Sequence, residues 1–230
     1  MDLAAAVAPT TLARQRTLPV ADPLQRLLPD GALARGRTVA CCGPAATSLA
    51  VALTAEATVA GAWLAVVDVP WLGVEAVAEL GVPLERLVRI DPGAPAGSFG
   101  TAWADLVAAV LDGFELVVTR IPRRVNAAVL RRVLARVQAR ESVLVAVGEP
   151  GPLVPDIALE ASTPVWEGVA DGWGHLCGRR VAVAATGRRV PSPRHAELWL
   201  PGPGGGVAAV EEPLPARPPV VDEPRLRSVG

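Results

Sequence analysis

The sequence contains no lysine: all 22 of its basic residues are arginines. The absence bears most on residues 36–68, GRTVACCGPAATSLAVALTAEATVAGAWLAVVD, around which the rest of the chain is organised. An apolar strand at 38–42, a turn on Gly43-Pro44, a helix at 45–60 and a second apolar strand at 62–68 follow the order in which a phosphate-binding loop is built. A working loop reads G-x-x-x-x-G-K-[ST]. Its backbone N–H groups cradle phosphates, its lysine reaches the terminal ones, and its hydroxyl holds magnesium. Here Gly43-Pro44-Ala45-Ala46-Thr47-Ser48 is shorter, has no second glycine and has no lysine. The scaffold reads as a nucleotide-binding one that no longer turns nucleotide over.

Other scarcities exclude other classes. There is no tyrosine, and aromatics make up 3% of the chain, so a core drawn from its 51% hydrophobic residues is mostly Ala, Val and Leu. Three cysteines, an odd number, make no disulfide framework. Cys41 and Cys42 are adjacent on one strand and point to opposite faces. Together with Cys177, His175 and His195 they show no metal-ligand spacing, so no metal is expected and the thiols read as buried and free. The two histidines have no triad-like companions. There is no G-x-S-x-G elbow and no recognisable carboxylate pair, so no catalytic residue is assigned. A net charge of −1 argues against a protein that coats nucleic acid. Asp2 and the polar run to Arg16 do not resemble a signal peptide. Residues 39–55 are uncharged, but Gly43-Pro44 breaks them into lengths suited to a buried parallel sheet rather than a membrane span. A cytoplasmic protein is expected.

What is present is a repeated strand-helix rhythm. Helical spacing at 71–80 stops at Gly81-Val82-Pro83, and a short strand follows at 87–90. Residues 91–100 are a loop by composition. Thr101 is a plausible N-cap for a helix through Leu111, and strands follow at 114–119 and 142–148. Residues 123–140 form the clearest amphipathic helix, with Val125, Val129, Leu130, Val133, Leu134 and Val137 on its apolar face. The expected fold class is α/β, a mostly parallel sheet flanked by helices. After residue 156 the pattern changes to short strands at 156–162, 165–169, 175–186 and 196–200, with hairpins near Asp171-Gly172 and Gly187. These read as antiparallel strands added at the C-terminal edge. Residues 1–23 read as a flexible arm, 24–200 as the domain, and 201–230 as a disordered Pro/Gly-rich tail.

Each candidate site has a functional and a structural reading. The degenerate loop at Gly43, Pro44, Thr47 and Ser48 retains hydroxyls and a helix N-terminus that attracts anions, but the absent lysine favours a purely structural turn. The strand at 116–120 ends in Thr119 and Arg120, where a working site places the magnesium-binding Asp. Asp68, at the end of the preceding strand, reads as a cap or loop residue. Arg123, Arg124, Arg131, Arg132, Arg136 and Arg140, with Arg120, are a candidate surface for DNA backbone or an acidic partner. An i, i+4 row of three like charges there repels itself, and a solvated face in an arginine-biased proteome is the alternative. Arg179, Arg180, Arg188, Arg189 and Arg194 carry the same ambiguity. Leu198, Trp199 and Leu200 suit partner capture by edge pairing, or simply close the sheet edge.

The runs LLPDGALARGRTVACCGP, TSLAVALTAEA, WLAVVD and LGVPLERLVRIDP, and later WEGVADGWGHLCGRRVAVAATGRR and AELWLPGP, resemble the degenerate RecA relatives of the ImuA type over residues 24–204. The likeness is nearest to the mycobacterial ImuA-prime proteins. The resemblance implies a RecA-like α/β core and a non-catalytic accessory role in DNA-damage (SOS) induced translesion mutagenesis, without a cofactor. It implies an inactive Y-family polymerase-like partner of the ImuB type, and through it the sliding clamp and an error-prone C-family polymerase, with nucleoid association on damage. Direct DNA contact stays open. A weak ATP-binding RecA-like ATPase and a SulA-like division inhibitor are the alternatives.

Overall fold

The computed structural model describes residues 16–92, 100–170 and 173–210. Ten strands form its main sheet. The first parallel block is β3 (Thr38–Cys42), β4 (Leu64–Val67), β5 (Leu87–Ile90), β6 (Leu116–Thr119) and β7 (Val143–Val147). β8 (Ile157–Ala161) pairs parallel with β3. β9 (Val165–Ala170), β10 (Trp173–Thr186), β11 (Arg194–Trp199) and β12 (Ala208–Ala209) extend the sheet in antiparallel pairings. The order is β12-β11-β10-β8-β3-β7-β6-β4-β5, with β9 paired to β10 off this path. A separate ribbon joins β1 (Thr17–Leu18) to β2 (Leu33–Ala34).

β3, β4, β6 and β7 are buried on both faces, as continuous apolar runs in a covered parallel sheet should be. One face packs under α1 (Asp22–Gln25), α2 (Ala46–Val59) and α3 (Val74–Glu79). α2 is apolar on nearly every side, with Leu49, Ala50, Val51, Ala52, Leu53 and Ala57 all buried, so it sits inside the layer rather than on it. The opposite face of β3, β4, β6 and β7 packs under α4 (Gly100–Leu111) and α5 (Ala127–Ala139). Cys41 faces the first core and Cys42 the second, the alternation their adjacency requires. Cys177, expected to be buried, is exposed instead.

The expected architecture holds, and its borders move. Leu18 and Val20 are buried beside the β1–β2 ribbon, so the arm does not extend to residue 23; residues 1–15 lie outside the described part. At the other end the chain does not leave the fold at Pro201. Residues 201–210 turn back, the Gly206 N–H donates to the Glu79 carbonyl at 2.7 Å, and β12 pairs with β11. The remainder of the expected tail lies outside the described residues. The helix at 100–111 begins before Thr101, which therefore sits in its first turn rather than capping it. α5 begins at Ala127, four residues later than its hydrophobic pattern suggests. Asn126 caps it by accepting the Ala128 N–H at 2.7 Å.

One buried carboxylate ties the parallel block to the antiparallel one. Asp156 accepts the Thr38 N–H at 3.0 Å and the Thr38 hydroxyl at 3.2 Å, and Arg188 donates to its other oxygen at 3.1 Å. A Cβ on Gly187 would stand 2.6 Å from the Asp156 carbonyl, so the turn after β10 closes directly on this knot.

Candidate functional site

The loop between β3 and α2 lies at the C-terminal ends of the parallel strands, where open α/β sheets place their ligands. Its glycine has a structural task. Gly43 adopts φ +84°, and a Cβ there would fall 2.0 Å from the Ala161 carbonyl. β8 runs so close beside the loop that only glycine fits. Strand packing alone therefore requires glycine at this position of the loop.

Both hydroxyls of the loop are engaged by other parts of the chain. The Trp71 indole N–H donates to Thr47 Oγ1 at 3.1 Å, and the Arg120 guanidinium lies 5.1 Å from the centre of the Trp71 ring. Arg179 donates to Ser48 Oγ and to the Leu200 carbonyl, and its guanidinium lies 5.2 Å from the Trp166 ring. Two Arg–Trp pairs thus stand over the first turn of α2. The cavity left beneath Trp71, between α2 and α3, measures about 210 Å³ and is lined by Thr47, Ser48, Val51, Val77 and Leu80. Ligand pockets usually span roughly 300–1,000 Å³.

The strand end at which a working phosphate loop would have its magnesium-binding acid holds a core contact here. Thr119 is fully buried; its hydroxyl accepts the Trp103 indole N–H at 3.1 Å and donates to the Arg120 carbonyl at 3.2 Å. Among the described residues Trp103 is the largest fully buried side chain, so this threonine satisfies the one polar atom of a core anchor. Asp68 is buried at the end of β4 with φ 56°, and its N–H donates to the Ile90 carbonyl at 3.1 Å. Burial pushes the Cys42 thiol up to about 11, with Glu160 and then Glu149 adding to the rise. Cys41 is pushed higher still by its complete burial. Neither is a nucleophile near neutral pH.

The arginines do not form one surface. Arg123 and Arg124 lie in the turn before α5, with Arg120 at the loop end of the sheet. Arg136 and Arg140 lie at the opposite end, where the helix has run back along β6 and β7. There the expected self-repulsion is answered by Asp112. Arg136 Nε donates to its carboxylate at 2.7 Å and Arg140 Nε at 2.9 Å. The Arg136 hydrogen bond, more than that from Arg140, holds the Asp112 carboxyl below its ordinary range. Arg131 and Arg132 are exposed on the helix between these groups. The later arginines are largely internal ties. Arg180 pairs with Glu167 and Glu197, Arg188 with Asp156, and Arg194 donates to the Arg26 and Leu28 carbonyls.

The expected capture strand is filled from within. Leu198 and Leu200 are fully buried on the core side, and β12 pairs with β11 at Leu198 and Trp199. Only Trp199 is part-exposed, with the Arg180 guanidinium 6.0 Å from its ring. Leu198 and Leu200 are therefore core residues, because alternation along the chain turns both the same way. Among the described residues no group of three or more His, Cys, Asp or Glu side chains is placed to hold a metal, and no helix is long and apolar enough to cross a membrane.

The fold and its loop define an α/β protein whose parallel strands β3, β4, β6 and β7 are covered on both faces and whose loop hydroxyls are engaged by its own side chains. Residues 26–152 match the family model described as the MT3502 N-terminal domain, and the chain belongs to that family. It is also 32% identical over 151 residues to the uncharacterized protein Rv3395c of Mycobacterium tuberculosis, a match covering 62% of this chain and 71% of the relative.

Proposed function

We propose that this chain is a non-catalytic accessory protein of a translesion-synthesis mutasome, an ImuA-type member of the degenerate RecA-like lineage that acts in DNA-damage (SOS) induced mutagenesis. Its role is to bind an inactive Y-family polymerase-like protein of the ImuB type, and through it to reach the sliding clamp and an error-prone C-family polymerase on the nucleoid. The observation that carries the reading is the Trp71–Thr47 contact backed by Arg120, which replaces ligand groups with protein groups at the old nucleotide end. A scaffold that keeps the nucleotide-binding architecture while filling its site has surfaces, rather than turnover, to offer. The matched mycobacterial relative is consistent with the resemblance to ImuA-prime proteins.

The test is co-purification of the tagged chain with the polymerase-like protein from DNA-damaged cells, followed by reconstitution from the two purified proteins. Direct binding, together with loss of damage-induced mutagenesis on deletion of the gene, is the expected result. Recovery of the division tubulin, or no binding by the purified pair, overturns it.

A further inference from the structure

The end of the sheet opposite the loop, where the parallel strands begin, holds a cleft of about 400 Å³. Arg16 and Arg35 stand opposite each other at the end of the β1–β2 ribbon. The Arg35 N–H donates to the Arg16 carbonyl at 2.9 Å, and the antiparallel register turns both side chains to one face. The Gly36 N–H donates to the Ser142 carbonyl at 2.9 Å and the Leu144 N–H to the Arg37 carbonyl at 3.1 Å, which holds Arg37 beside the start of β7. Arg189 comes from the turn after β10, its N–H donating to the Asp156 carbonyl at 3.1 Å. Four arginines from three separate segments therefore line one concavity, each on backbone pinned by hydrogen bonds.

Asp30 and Glu141 also line the cleft, yet among the described residues neither they nor any other carboxylate forms an ion pair with the four arginines. Arg35 and Arg37 are half-buried there. Other arginines that meet within the fold are answered by acids, Arg136 and Arg140 by Asp112, Arg180 by Glu167 and Glu197, Arg188 by Asp156. Here four like charges share one concave space, a self-repulsion that an incoming anion relieves. We infer that this cleft binds a small phosphorylated sugar, its phosphate held among the arginines and its hydroxyls donating to Asp30 and Glu141. A guanidinium meets phosphate with two parallel hydrogen bonds, whereas carboxylates only accept and so suit hydroxyl donors rather than a second anion. The volume is that of a small-ligand pocket, roughly 300–1,000 Å³, rather than of a track for a polymer. Ala34 is the one apolar residue that lines it, so no wall is offered to a nucleobase. Magnesium-saturated ATP, whose phosphate charge the metal already answers, is not expected to bind. The site stands independently of the mutasome reading.

The experiment is calorimetric titration of the purified full chain, free of divalent metal, with glucose-6-phosphate, fructose bisphosphate, inorganic phosphate and glucose. The variants are Arg35→Gln, Arg37→Gln and Asp30→Ala, with Arg131→Gln on the exposed side of α5 as control. Circular dichroism verifies that each is folded. Wild type and control should bind at least one sugar phosphate at least tenfold more tightly than inorganic phosphate, and glucose not measurably. Either arginine variant should weaken that binding at least tenfold, and Asp30→Ala should narrow the preference for the sugar phosphate over inorganic phosphate. No saturable binding of either sugar phosphate at millimolar concentration overturns the site, as does binding unchanged in both arginine variants. Inorganic phosphate bound as tightly as the sugar phosphates identifies an adventitious ion only and overturns the ligand. Tighter binding of a thymidine oligonucleotide or a glutamate-rich peptide, lost in the arginine variants, assigns the cleft to a polyanion and overturns the small ligand.

Discussion

The indole N–H of Trp71 donates to the hydroxyl of Thr47, and Arg120 lies against the same ring. The hydroxyl that a phosphate loop offers to magnesium is thereby occupied, and a guanidinium stands where a metal would need negative charge. Millimolar ATP with magnesium should leave the melting temperature unchanged. A ligand at a hundred times its Kd would add about 2.7 kcal/mol, or roughly 5–10 °C for a chain of this size. A shift of that order, abolished in Thr47→Val, would show that the site still opens.

Gly43→Ala tests why the loop keeps its glycine. The new methyl would collide with the Ala161 carbonyl while the backbone holds a positive φ. The expected loss is on the order of 3 kcal/mol, with β8 displaced or the chain unfolded. Chemical denaturation measures it, and a near-neutral result would mean that β8 is not held against the loop.

Thr119→Val keeps the shape of the side chain and removes its hydroxyl. The buried Trp103 indole N–H then has no acceptor, at a cost of about 1–3 kcal/mol. Trp103 emission should shift as its hydrogen bond disappears. Thr119→Ser should restore most of the stability.

Thiol reactivity separates the three cysteines. At pH 8 a maleimide should label Cys177 rapidly, while Cys41 and Cys42 stay protonated and buried until the chain unfolds. Mass spectrometry of the native and the denatured protein reads the difference, and fast labelling of Cys42 in the native state would contradict its environment.

The Asp112 carboxyl, lowered by Arg136 and Arg140, favours the folded state above its unfolded pKa. That contribution is lost as pH falls through the lower folded value. The stability difference between wild type and Asp112→Asn should therefore be greatest near neutrality, vanish in acid, and shrink with added salt because the group is exposed. A difference that grows on acidification would reverse the assignment.

Much of the fold was legible because parallel strands and the turns between them leave local marks. Residues 38–42, 87–90 and 142–148 read as short strands, and the structure has strands at Thr38–Cys42, Leu87–Ile90 and Val143–Val147. What was not legible depends on distant partners. Trp71 belongs to the apolar pattern of a helix, yet it precedes α3 and acts on Thr47, 24 residues away. Asp112 ends a helix in the sequence and, in space, bridges two arginines of the next one. The glycine of the loop carried a true signal with a different cause, since only the position of β8 reveals what it must avoid. For Leu198 and Leu200 the period-two rule already implied a shared face, but not that β12 would return to close the edge.

The placement of β8 bears on where this protein can be cut. The family match ends at residue 152, before β8 begins, and β8 is the strand that flanks β3. A fragment ending there would convert the central strand of the sheet into an open edge and strip Thr38 of the carboxylate that accepts its N–H. The border of the family match and the border of the continuous sheet therefore differ in this chain. A piece made for solution work has to include β8, and a protein truncated at the family border should self-associate through β3.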